Sequence, residues 1–215
     1  MAGLRGLMKK DPDAIGNLIE RLDLDVLCLQ ETKLQENHLN DPKVTLPQVP
    51  GFEAHYSCST AKKGYAGTAA YIRKRGSVAA KGKQTTMDAF AKSAAVKRKN
   101  DPTNEILPVD IKLLQPEQIS TEMGVEKHDQ EGRLIVMDFP LFTVVNLYVP
   151  NSGQKLERLE YRTKEWDKDL LAFMQAKQNE RGVPVLWMGD MSEYFIICGS
   201  NPFSLYEWER SSLCL

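Results

Sequence analysis

Hydrophobic positions recur at two periods along this chain, and the change from one to the other marks its elements. Ile15, Leu18, Ile19 and Leu22 fall on one face at helical spacing, with Asp11 placed to cap the helix and Pro12 suited to its first turn, so a helix is predicted that ends near Asp23. Val26, Leu27, Cys28 and Leu29 follow as an unbroken apolar run, the pattern of a strand covered on both faces. That strand delivers Gln30, Glu31 and Thr32 at its C-terminal end, where open α/β sheets place their ligands. Phe52 to Ser57 and Gly67 to Ile72 predict a hairpin across the basic, glycine-containing turn Lys62-Lys63-Gly64-Tyr65. A second hairpin is predicted from Arg133 to Phe139 and from Phe142 to Val149, two β-rich runs separated by Pro140 and Leu141. A long helix from about Lys155 to Ala176 aligns Leu159, Trp166, Leu170, Phe173 and Met174 along one face. Val183 to Met188 predicts another buried strand, ending at Gly189 and Asp190.

Two stretches break this order. Residues from about 77 to 116 are polar, poor in aromatics and rich in Lys, Ala and Thr, which reads as a flexible insertion. From Ser192 onward no periodicity continues, and no fold is assigned there. The composition, 215 residues with 42% hydrophobic and 27% charged, suits one domain or part of a larger one. A formal net charge of -1 neither favours nor excludes a polyanionic partner, so only the local charge map carries information. The four cysteines lack metal-ligand spacing, and no apolar span approaches the ~20 residues of a membrane helix. A soluble intracellular monomer with reduced thiols and no membrane association is expected.

Three motifs fall at predicted strand ends: Leu29-Gln30-Glu31-Thr32-Lys33, Asn146-Leu147-Tyr148-Val149-Pro150-Asn151, and Met188-Gly189-Asp190, with Glu131-Gly132-Arg133 between the first two. In this order they resemble the endonuclease/exonuclease/phosphatase superfamily, specifically its exonuclease III-type branch of abasic-site DNA endonucleases. The resemblance implies an α/β fold of DNase I-like type, a four-layer sandwich of two β-sheets flanked by helices. It also implies Mg²⁺-dependent hydrolysis of the phosphodiester 5′ of an abasic site in double-stranded DNA, a base-excision repair reaction, with 3′–5′ exonuclease activity beside it and Mn²⁺ as a substitute metal. Such cleavage needs a cation on a non-bridging oxygen, a group that orients or activates water, and donors for the pentacovalent charge. By resemblance Glu31 is the metal-binding carboxylate, Asp190 the residue that positions or deprotonates the water, and Tyr148 a donor to the scissile phosphate, with Asn151 at the family asparagine of the same loop. Arg5, Lys33, Tyr65 and Arg133 match family positions that contact the DNA backbone and fix register without reading bases. Outside the motif, a strand-end glutamate is ordinarily a solvated charge and a hairpin tyrosine ordinarily packs.

The family's pattern fails at both ends. Its opening strand ends in Asn-Val-Asn/Asp-Gly-Leu-Arg, whereas Met1-Ala2-Gly3-Leu4-Arg5 puts alanine in a polar position, and its Gly-Asp-Leu/Met-Asn-Val-Ala-His continues here as Gly189-Asp190-Met191-Ser192-Glu193-Tyr194. His38, His55 and His128 lie in no context matching the family's catalytic histidine. The expectation is an incomplete family domain over residues 3–191, an unrelated tail over 192–215, uncovered apolar sheet surface, and cleavage far slower than that of an intact relative. A catalytically inactive fragment that binds DNA or a sliding clamp is the alternative. A superfamily phosphatase acting on inositol lipids or sphingomyelin is disfavoured by Gly64-Tyr65-Ala66-Gly67 and Tyr148-Val149-Pro150-Asn151. Within the insertion, Gln84, Met87 and Phe90 reproduce the spacing of a clamp-interacting peptide, in which a short 3₁₀ turn places Met87 and Phe90 on one side as a plug, although Ala91 stands where a second aromatic is usual. The nucleus is the expected compartment; Lys97-Arg98-Lys99 would serve entry, while so short a basic run is more often simply solvated.

Overall fold

Small side chains set the centre of the first sheet. β3 (Thr68–Arg73) is paired on both sides, antiparallel to β1 (Val26–Gln30) and to β2 (Phe52–Ser57), and its Ala69 and Ala70 let the neighbouring layers approach closely. The computed structural model describes residues 3–44, 46–74 and 115–191. The expected clamp peptide at Gln84, Met87 and Phe90 and the tail 192–215 lie outside the described residues, as does nearly all of the 77–116 stretch.

The second sheet runs in the order β4 (Gln118–Ser120), β5 (Leu134–Asp138), β6 (Thr143–Tyr148), β7 (Val185–Asp190). Its first two pairings are antiparallel and the last is parallel. A parallel neighbour demands a crossover, and the helix between β6 and β7 supplies it.

Period-2 alternation sends the side chains of each strand into two different layers. From the first sheet, Val26, Cys28, Ala70 and Ile72 meet Ile135, Met137, Phe139 and Val144 of the second, forming the inter-sheet core. The other face of the first sheet, with Leu27, Leu29, Ala69 and Tyr71, is covered by Leu4 and Met8 of α1 (Leu4–Lys10) and by Ile15 and Ile19 of α2 (Ala14–Leu22). The outer face of the second sheet, with Leu134, Val136, Val145 and Leu147, packs on Trp166, Leu170, Phe173 and Met174. These are the four layers of a DNase I-like sandwich. Two short helices, α3 (Glu36–Leu39) and α4 (Glu126–Asp129), sit in the connecting loops.

Several elements depart from the pattern reading. α1 lacks enough residues to show a period. Asp11 does not cap α2; it accepts the Asp13 N–H at 3.1 Å in the turn before it, and Leu22, on the predicted apolar face, is exposed. The predicted helix from Lys155 begins later, at Leu159, and passes through a π-helical segment Tyr161–Trp166 that runs directly into α5 (Asp167–Arg181) and ends at Gly182 in the left-handed region. Its last turns are polar, so the apolar period stops short of the helix end. The two strands read as buried on both faces are, among the described residues, at the sheet edges: β1 is half-buried throughout, and Leu186 and Met188 of β7 are 49% and 42% exposed. An apolar run records what a strand could bury, not whether a neighbour covers it. None of the helices among the described residues is long and apolar enough to cross a membrane.

Candidate active site

Glu31 leaves the end of β1 with φ +54°, and Lys33 repeats that value, so the chain turns sharply through a region that non-glycine residues seldom occupy. The backbone around it is held on both sides. Thr32 N–H donates to Gly67 O at 3.0 Å, Lys33 N–H to Ala66 O at 2.9 Å, and Leu4 N–H to Thr32 O at 2.9 Å. The turn therefore rests between the start of α1 and the loop before β3, with Leu34 anchored fully buried behind it.

Across the sandwich, Tyr148 ends β6 and its hydroxyl donates to Glu31 Oε1. Parallel register pairs Tyr148 with Asp190, which places the two residues side by side at one end of the second sheet, and Val149 N–H donates to the Asp190 carbonyl at 2.9 Å. Gly189, before Asp190, has φ +136°, and a Cβ there would lie 1.9 Å from the Leu147 carbonyl oxygen, so only glycine admits this close strand contact. The structure thus brings Glu31, Tyr148 and Asp190 to one rim.

The Tyr148 hydrogen bond holds the Glu31 carboxyl below the usual range, against a rise from burial, and Lys33 Nζ, 3.3 Å from Oε2, adds to the effect. Burial, and then the neighbouring Glu31 carboxylate, push the Tyr148 hydroxyl up, so it keeps its proton and acts as a donor. The charge of Asp190 contributes to the same rise, which reports its proximity.

Beneath this rim lies a residue to which the sequence reading gave no role. Asn146 is fully buried on β6; its Oδ1 accepts from Gln30 Nε2 at 2.6 Å and its Nδ2 donates to Ala69 O at 3.1 Å and Leu29 O at 3.4 Å. A polar side chain in an otherwise apolar β run was the available signal, because such a residue must find partners when buried.

A model of the Endonuclease/Exonuclease/phosphatase family matches residues 4–193. The chain belongs to this family. Its relatives include a DNA-(apurinic or apyrimidinic site) endonuclease of Dictyostelium discoideum, 30% identical over 193 residues that cover 89% of this chain and 40% of the relative. An exodeoxyribonuclease of Bacillus subtilis is 30% identical over 190 residues, covering 88% of this chain and 55% of the relative. The crystal structure of an AP endonuclease from Leishmania major superposes with a TM-score of 0.62 at 26% identity, covering 91% of this chain and 56% of that one. The chain spans about half the length of the relatives it matches. The family match runs past Met191, where the motif reading stops.

The remaining family-matched positions have varied surroundings. Asn151 is exposed and accepts the Gly153 N–H at 3.2 Å. Arg5 is exposed on α1, with Nη1 2.9 Å from His38 Nε2. Lys33 stays beside Glu31. Arg133 is buried, donating from Nη1 to Tyr148 O at 3.0 Å and from Nη2 to the Tyr65 hydroxyl at 2.7 Å. The Glu31 carboxylate, held below its usual range and with its side chain 35% exposed, has the chemistry of a ligand for a hard divalent ion that keeps several waters. The family is generally divalent-metal dependent. Among the described residues no group of three or more His, Cys, Asp or Glu side chains forms a closed metal cage.

Proposed function

We propose that this chain is a DNA-repair nuclease of the abasic-site endonuclease type, hydrolysing the phosphodiester 5′ of an abasic site in duplex DNA, with Mg²⁺ as its metal. The observation that carries the reading is the Glu31–Tyr148–Asp190 rim, assembled from the ends of strands in two different sheets. Glu31 is the residue that would hold the cation. When bound, Mg²⁺ supplies charge that polarises a non-bridging phosphate oxygen. Tyr148, kept protonated, gives its one O–H to Glu31 in the free chain and would turn it to the phosphate as negative charge develops there. Asp190 orients the attacking water and takes its proton. Lys33 stays close enough to Glu31 to favour its ionised form. Asn151, on the loop just beyond Tyr148, faces solvent where a DNA backbone would lie.

The test is single-turnover cleavage of a labelled duplex bearing one abasic site, which resolves even slow hydrolysis. Cutting 5′ of the site with Mg²⁺, abolished by EDTA and reduced at least ~10²-fold by Glu31→Ala or Asp190→Asn, is expected. No metal-dependent cutting, or cutting unchanged in Glu31→Ala, would overturn the assignment.

A further inference from the structure

Four side chains close a ring beside the rim. Glu131 Oε2 accepts from Arg133 Nε at 2.5 Å and Oε1 accepts from Arg158 Nη2 at 2.7 Å. The same two guanidiniums converge on one phenol: Arg133 Nη2 and Arg158 Nη1 donate to the Tyr65 hydroxyl oxygen at 2.7 and 2.6 Å. Arg133 also lies over the rings of Tyr65 and Tyr148, 5.2 and 4.8 Å from their centroids, and holds the Tyr148 carbonyl. Glu131 is covered, its side chain 14% exposed, while Arg158 is 29% exposed.

A phenol oxygen accepts hydrogen bonds and carries one proton. With two guanidinium N–H groups pointing at this oxygen, the Tyr65 proton has to be directed away from them, and two cations on the oxygen make that O–H a stronger donor. The ring as a whole carries one net positive charge, because Glu131 neutralises only one arginine. An O–H donor directed away from both guanidiniums and backed by positive charge suits an anionic oxygen, and along DNA that is a backbone phosphate.

We infer that Glu131 is a positioning residue, which acts through Arg133 and Arg158 to hold the Tyr65 hydroxyl as a donor to a DNA backbone phosphate and Tyr148 in line with Glu31. The inference rests on the nuclease reading above. Glutamate suits this place because each of its oxygens serves a different arginine. Glutamine has one acceptor oxygen, and its amide would confront the second guanidinium with donor against donor. Lysine in place of Arg158 keeps the charge, yet a point ammonium does not reproduce the fork that reaches both Glu131 and Tyr65.

This role reverses the sign of an electrostatic expectation. Removing a negative charge near bound DNA ordinarily tightens binding, whereas a positioning role predicts that Glu131→Gln weakens it. The experiment is fluorescence anisotropy with a labelled duplex carrying one tetrahydrofuran abasic analogue, in EDTA at fixed KCl, with thermal melting of each variant alongside. Wild type is expected to bind, and Glu131→Gln and Tyr65→Phe each to bind roughly tenfold more weakly, the size of one hydrogen bond to a charged group. In the double variant the losses are not additive: Glu131→Gln added to Tyr65→Phe weakens binding no further. Arg158→Lys is expected to lose as much as Arg158→Ala, and it decides the matter if Glu131→Gln fails to fold. Equal or tighter binding by a folded Glu131→Gln, additive losses in the double variant, or wild-type affinity in Arg158→Lys would overturn the inference while leaving the nuclease reading intact. A wild-type chain that does not bind the duplex would overturn both.

Discussion

Replacing Asn146 with alanine tests whether one amide joins the two sheets beneath the rim. The side chain is fully buried and makes two well-formed hydrogen bonds, from Gln30 Nε2 at 2.6 Å and to Ala69 O at 3.1 Å, with a longer one to Leu29 O at 3.4 Å. Each good bond contributes about 0.5–1.5 kcal/mol net, and removing Asn146 also leaves a buried carbonyl and the Gln30 amide without it. Asn146→Ala is therefore expected to cost about 2–4 kcal/mol, a large share of the ~5–15 kcal/mol that holds a domain folded. Gln30→Ala removes one of these bonds and is expected to cost about 1 kcal/mol. The two residues touch, so their effects are expected to couple in a double-mutant cycle. Urea unfolding read by circular dichroism measures all three variants, with an unchanged m-value as the sign that the folded state is otherwise intact. A loss below about 1 kcal/mol for Asn146→Ala, or strict additivity with Gln30→Ala, would refute the claim that this amide ties the sheets together.

Gly189→Ala puts a methyl group 1.9 Å from a backbone oxygen at φ +136°, so a loss of at least ~3 kcal/mol or a displaced β7 is expected, read as a lower Tm with lost cleavage; a wild-type Tm would contradict it. Asp138 gives a pH test. Burial favours its neutral acid, but hydrogen bonds from Lys177 and Thr143, together with the charges of Lys177 and Arg181, outweigh burial and hold the carboxyl below its usual range. A depressed folded pKa stabilises fully above the unfolded value, ~3.9, and the contribution is lost as pH falls through the folded one. The Tm gap between wild type and Asp138→Asn is thus expected to narrow below about pH 4, and a gap constant down to pH 2 would show that the pair contributes nothing.

How far the sequence discloses this molecule depends on whether a feature is local. Strands such as Phe52–Ser57 and Thr143–Tyr148 announce themselves, because alternation and β-branched residues are properties of a short window. The motif positions Glu31, Tyr148 and Asp190 were visible for a similar reason, each standing where an apolar run stops. Edge exposure was not visible: Leu186 and Val185 are equally apolar, and only the packing of α5 on one face of β7 separates them. The surroundings of Arg133 were equally hidden. Its partners Tyr65 and Tyr148 lie 68 and 15 positions away, so its burial between two rings could not be read from its own stretch of chain. Glu131 has no role legible in the Glu131-Gly132-Arg133 motif, because its partner Arg158 lies 27 positions further along and on no motif at all.

The hydroxyl of Tyr148 and the carboxylate of Glu31 are 117 positions apart in the chain and belong to different sheets. Closing so long a loop costs only slowly growing entropy, but the contact exists only after each sheet has formed and the two have docked. Under the proposed nuclease function, catalytic competence is then expected to be among the last properties gained in folding and among the first lost when the layers separate locally. Cleavage is expected to fade in mild denaturant before the backbone amides of β3 and β5, at the centres of the sheets, begin to exchange with solvent.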